Sequence, residues 1–202
     1  MLEALGRNPE AISEPILKVV GLYVGMPGVS QEQLTLDKNG IIEDTKHYGL
    51  NRIVNARSRI GYPKPPIGSE EPNWRMFSAI TLEDLAVIQA NYTTRYERHV
   101  GDVLPEWIGP NIVFVGMQNF SKIPDQSLLD FDNGPLLRVA SENKSCVTPG
   151  KLIANELGLP TDLAKGFIKD ANGFRGVVGT IDREGIIKPG MYARVIYPTI
   201  NK

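Results

Sequence analysis

Cysteine is nearly absent: the 202-residue chain has one, Cys146, and only two histidines, His47 and His99. One thiol excludes an intrachain disulfide and a multi-thiolate metal site. Two imidazoles exclude a three-histidine centre, so a zinc site would need carboxylates as well. An unpaired thiol fits a reducing compartment, and the cytoplasm is the expected location. Long hydrophobic runs are missing too. The most apolar stretches, Ile16–Met26 and Ile112–Met117, fall well short of the roughly 20 residues of a membrane helix. The first residues lack a basic segment followed by an apolar one, so they do not read as a secretory signal. Neither charge is in excess: 22 Lys and Arg against 23 Asp and Glu give a net charge of −1, with no global pull toward nucleic acid or a membrane. Repeats, low-complexity tracts, Gly-x-Gly-x-x-Gly and Walker A patterns are all lacking, which disfavours a nucleotide-binding α/β fold.

What is present points to a mainly β protein. The 20 glycines and 15 prolines are roughly 17% of the chain, above the about 12% of average usage, which favours turns over long helices. Residues 1–15 read as an N-terminal arm, with 16–202 as a single domain. Strands are expected at Ile16–Val24, Leu34–Leu36, Met76–Ile80 and Ile112–Val115, each rich in branched or aromatic residues. Thr81, with Asp84 three residues on, reads as the cap of a helix fading near Tyr96. Ser127–Phe131 and Leu136–Ala140 form a hairpin about Asn133-Gly134, a pair that tolerates the positive φ of a tight turn. Thr148-Pro149 opens a short helix with Pro at its first position, and a second runs over Thr161–Asn172. Arg175–Asp182 and Met191–Tyr197 read as strands of another hairpin-like unit. Strands and helices do not alternate as βαβ. About seven short strands suggest a closed or partly closed β-barrel with a few short helices, which hides the edges of an open sheet.

Chemistry has few addresses. Cys146 lies between a hairpin strand and a helix, beside Lys144 and Lys151. A helix N-terminus and cationic neighbours favour a thiolate, against the plainer reading of a small buried hydrophobe. Residues 38–72 carry four prolines and no sustained period, and a structureless loop of that length is usually functional. Within it, glycines bracket Glu43, Asp44, Lys46 and His47, a ligand loop or a solvated turn. A pair of Cys146 with His47 or His99 would allow thiol hydrolase or redox chemistry, if the fold brings them together. Arg75, Arg175, Lys144 and Lys151 are candidates for binding an anion, arginine through its fork and lysine as a point charge.

Taken in order, these pieces resemble the MOSC domain, the β-barrel module at the C-terminus of molybdenum-cofactor sulfurases and in small stand-alone proteins. Gly40-Ile41 through Asp44, His47 and Gly49 is similar to the family's Gly-Ile-x-Gly-Asp-x-His-x-Gly segment. Arg75 precedes a strand and helix, Asn111-Ile112 matches part of Glu-Asn-Ile, Cys146 follows the hairpin, and Arg175-Gly176 opens the terminal strands. Gly185-Ile186 with Pro189-Gly190 is similar to Gly-x-Ile-x-x-Gly-Asp. Glu43, Pro110, Ser145 and Met191 depart from the family's Gly, Glu, Pro and Asp. The resemblance implies sulfur carriage or transfer, or molybdenum-cofactor binding, with Cys146 as persulfide carrier or molybdenum ligand. It places His47, Arg75 and Asn111 around a pocket and Lys144, Lys151 or Arg175 near a cofactor phosphate. A cysteine desulfurase or a molybdoenzyme would be the partner. Pyridoxal phosphate enters only through such desulfurases, since no Schiff-base lysine is identified here. The four departures also admit a binding module that has kept the barrel and lost the chemistry.

Overall fold

The computed structural model describes residues 14–45, 47–54, 65–95, 102–160 and 163–199. The arm expected at 1–15 therefore lies almost wholly outside the described residues, as do His99, Lys46 and residues 55–64 of the 38–72 segment.

The chain runs through β1 (Ile16–Val24), β2 (Val29–Ser30), β3 (Leu34–Asp37), β4 (Gly40–Ile41), β5 (Asn51–Ile53), β6 (Glu70–Pro72) and β7 (Phe77–Thr81). Helices α1 (Leu82–Arg95) and α2 (Pro105–Ile108) lead to β8 (Ile112–Val115), β9 (Leu128–Asp130) and β10 (Leu136–Glu142). Helices α3 (Val147–Glu156) and α4 (Leu163–Asp170) then precede β11 (Val177–Arg183), β12 (Gly185–Ile187) and β13 (Tyr192–Ile196). Seven strands pair in the order β13-β9-β10-β11-β7-β8-β1, and β1 pairs again with β13. The ring is closed, so these strands have two neighbours and no free edge. The mainly β, closed barrel with a few short helices expected from the sequence is the observed fold.

Period-2 alternation sorts side chains between two cores. Phe77, Ala79, Ile112 and Phe114 point into the barrel with Leu17, Leu129, Val139 and Val195. Ile80 and Val113, the alternate residues of β7 and β8, face outward against Ile88 and Tyr92 of α1, Ile153 of α3 and Phe167 of α4. The wholly buried β7 is covered on both faces for this reason. Thr81 caps α1 as expected, its hydroxyl accepting the Asp84 N–H at 3.3 Å.

Five local readings change. β7 and β8 are parallel, joined through α1 and α2, so one βαβ crossover does occur; a parallel pair cannot be linked by a tight turn. β11 pairs with β10 and β7, and β13 with β1 and β9, so they are not a hairpin; the intervening β12 leaves to pair with β3. The turn between β9 and β10 centres one residue earlier than Asn133-Gly134. Asp132 and Asn133 have φ of 39° and 51°, and the Gly134 N–H donates to the Phe131 carbonyl. Segment 38–72 is not structureless, because β3 pairs with β4 and β5 with β6. Finally, α3 begins at Val147 with Cys146 as its N-cap residue, which puts Pro149 at the third helical position.

Candidate functional site

The site forms where the end of β10, the start of α3 and the start of β11 converge. Cys146 has an extended backbone, φ −139° and ψ 168°, and its side chain is exposed. Arg175, one residue short of β11 with Gly176 between, is only 5% exposed. Its guanidinium donates to the carbonyls of Ile108 and Lys144, lies 3.9 Å from the Cys146 Sγ, and rests 5.8 Å from the Phe167 ring centre. Gly176 makes this placement possible: its φ is +78°, and a Cβ there would lie 1.8 Å from the Ala79 carbonyl oxygen, so no other residue fits.

Both faces of the Gly176 backbone are held. Its N–H donates to the Ser121 hydroxyl at 2.6 Å, which donates in turn to Asp84 Oδ2 at 2.6 Å. Its carbonyl accepts the Asn143 N–H at 2.8 Å. The Asn143 side chain accepts from Arg75 Nη2 at 3.3 Å. One asparagine, three residues before the thiol, thus ties the Arg75 side chain to the backbone of the residue after Arg175.

The electrostatics favour a thiolate. Partial burial pushes the Cys146 thiol up, but the Arg175 guanidinium, with the Thr148 N–H and hydroxyl, outweighs it, and the net shift is down. Thr148 acts here without closing a full cap hydrogen bond to the sulfur. Burial lowers the Arg75 pKa, as does repulsion from Arg175 and Arg52, while Cys146 draws it back up. These four groups share one electrostatic neighbourhood.

Other expected residues sit differently. Asn111, 2% exposed, has its amide fully committed: Oδ1 accepts from the Ser78 N–H and hydroxyl, and Nδ2 donates to the Tyr23 carbonyl and to Asp44 Oδ2 at 2.6 Å. It ties the His47 loop to the barrel and has no capacity left for a ligand. His47 is half-buried on that loop, and its carbonyl accepts from Asn73 Nδ2, whose Oδ1 accepts the Arg75 N–H. The polar groups that shift the Cys146 thiol are Arg175 and Thr148. Lys144 is exposed and meets the site through its carbonyl. Lys151 lines a separate hollow of about 620 Å³ with Ala154, Asn155, Gly158 and Leu159. Asn143, Thr148, Ser121 and Asp84 were not singled out as site residues from the sequence. Only Asn143 and Thr148 had a signal there, their nearness to Cys146.

Among the described residues no three His, Cys, Asp or Glu side chains gather as a metal site. No helix among them is long and apolar enough to cross a membrane.

With its closed barrel and a thiol at the helix start, the chain belongs to the MOSC domain family, whose model matches residues 70–192. A Bacillus subtilis (strain 168) protein, YuaD, named for metal-sulfur cluster biosynthesis, is 29% identical over 177 residues, 86% of each chain. The crystal structure of YuaD superposes with a TM-score of 0.79 and 28% identity, covering 91% of this chain and 97% of that one. YiiM from Escherichia coli shares the fold at a TM-score of 0.55 and 12% identity, covering 94% of this chain and 72% of that one.

Proposed function

We propose that this MOSC protein has a sulfur- or metal-cofactor-related role, and specifically that it carries sulfur as a persulfide on Cys146. The observation that supports this best is the placement of the sole thiol, exposed at a helix start and 3.9 Å from a buried guanidinium that favours its thiolate. A thiolate attacks sulfane sulfur, and exposure lets a donor and an acceptor reach it in turn. The family membership and the name of the YuaD relative point the same way.

The same groups suit the molybdenum cofactor. A bare metal would find too few ligands here, so a metal bound at this site brings most of its own. Cys146 would supply one soft ligand, and the guanidiniums of Arg75 and Arg175 would face the cofactor's anionic groups. When bound, that group supplies redox chemistry. The chain's own part is to hold the thiolate and to balance charge.

Incubation with a cysteine desulfurase and cysteine, followed by intact mass measurement, tests the carrier reading. A gain of one sulfur atom that Cys146→Ser abolishes is expected, and no gain in the wild type removes it. Anaerobic isolation from cofactor-producing cells tests the other form, which fails if no stoichiometric molybdenum or pterin accompanies the protein.

A further inference from the structure

Seven arginines lie among the described residues, and five of them, Arg52, Arg95, Arg138, Arg183 and Arg194, have a carboxylate within 4 Å. The two exceptions are Arg75 and Arg175: Arg175 lies 3.9 Å from the only thiol, and Arg75 is held by Asn143, three residues before it, and feels its charge. A guanidinium withdrawn from water without a counter-charge is costly, and one thiolate balances only one of the two. Arg175 is also spent on carbonyls, whereas Arg75 makes a single side-chain hydrogen bond, to Asn143. The rest of its fork is uncommitted among the described residues, and a planar fork is suited to two oxygens of one anion.

We propose that the sulfur donor for Cys146 is a small oxyanion bearing a sulfane sulfur, the class of thiosulfate, and that Arg75 binds its oxygens. This rests on the reading of Cys146 as a sulfur carrier and narrows it to a donor. The Cys146 thiolate attacks the outer sulfur, and a new S–S bond forms as the bond to the sulfonate sulfur breaks. The electron pair departs with sulfite, leaving Cys146 as a persulfide anion. Charge and electrons balance without an oxidant, a reductant or a proton. Arg75 stays opposite negative charge throughout, because the departing sulfite keeps the oxygens it holds.

Reduced protein, freed of reductant and given thiosulfate, is expected to release sulfite and gain one sulfur atom, both lost in Cys146→Ser. Arg75→Gln is expected to slow sulfite release at low thiosulfate by about tenfold, chiefly through KM. It should lower the ratio of alkylation rates with anionic iodoacetate and neutral iodoacetamide by a similar factor, with Arg75→Lys partly restoring it. The iodoacetamide rate controls for a misplaced thiol. If Arg75→Gln does not fold, the wild type decides, since its iodoacetate preference must exceed that of free cysteine. The proposal is overturned if a desulfurase loads the protein but thiosulfate does not, or if Arg75→Gln changes neither rate. Failure with both donors removes the carrier reading itself.

Discussion

The Arg175 guanidinium, 5% exposed, lies 3.9 Å from the Cys146 sulfur while it also serves the carbonyls of Ile108 and Lys144. One side chain therefore fastens α2 to the loop before α3 and sets the ionisation of the thiol. Arg175→Met is expected to raise the Cys146 pKa, read from the pH dependence of alkylation. It should also cost about 1–3 kcal/mol in denaturant unfolding, because buried carbonyls lose their donors. An unchanged alkylation profile would show that the helix start alone favours the thiolate.

Cys146 makes stability depend on pH. Its native pKa is below that of an unfolded thiol, so ionisation favours the folded chain. The contribution is absent below the native value, grows as pH rises through it, and is complete above the ordinary thiol range. Wild type compared with Cys146→Ser should show a stability difference that increases with pH across that window. A flat difference would mean the thiol is not shifted.

Asp84 works in the opposite sense. Burial raises its pKa despite the Ser121 hydrogen bonds, and its Oδ1 has no hydrogen-bond partner. Ionisation therefore disfavours folding: the stability is fully present below the ordinary carboxylate range and falls as pH rises through the raised native value. Asp84→Asn should flatten that acid-side slope in urea titrations.

Ser121→Ala strands the Gly176 N–H and removes a donor from Asp84. A loss of about 2–3 kcal/mol is expected, with a higher thiol pKa because the backbone carrying Arg175 loosens. Ser121→Thr should restore the thiol pKa if the hydroxyl is what matters. A pKa that stays put in Ser121→Ala would limit the hydroxyl to a stabilising role.

Gly150 lies on the first turns of α3, where a Cβ would meet the Ala164 carbonyl at 2.2 Å and Phe167 Cβ at 2.7 Å. Gly150→Ala should push α3 away from α4 at a cost of about 1–3 kcal/mol. It should lower Tm and alter the Cys146 alkylation rate together, since both helices frame the thiol.

Local features were legible because their causes are local. Ile112–Val115 is a short branched run closed by Gly116, and Thr81 with Asp84 carries a helix start in four residues. The pairing of β12 with β3 was not legible, since nothing near Gly185 points to Leu36. The parallel β7–β8 pair was hidden because residues 82–111 between them carry Pro105 and, among the described residues, no second long helix. In the site, Cys146 stood out by rarity and Arg175 by its place before the terminal strands. The Asp84–Ser121–Gly176 chain gave no signal, because buried hydroxyls and carboxylates are paired by tertiary distance. Asn111 was conspicuous, yet its amide is saturated by barrel and loop groups.

Ring closure depends on Ile16 meeting Arg194, near opposite ends of the described chain. During synthesis the first barrel strand emerges long before its partner, and its open flank has no intramolecular cover until β13 arrives. Contacts so remote in order form slowly, so an unfinished chain is exposed to pairing with neighbours. The hazard of misassembly therefore falls before β13 is free to pair, and chaperone protection would matter most in that interval.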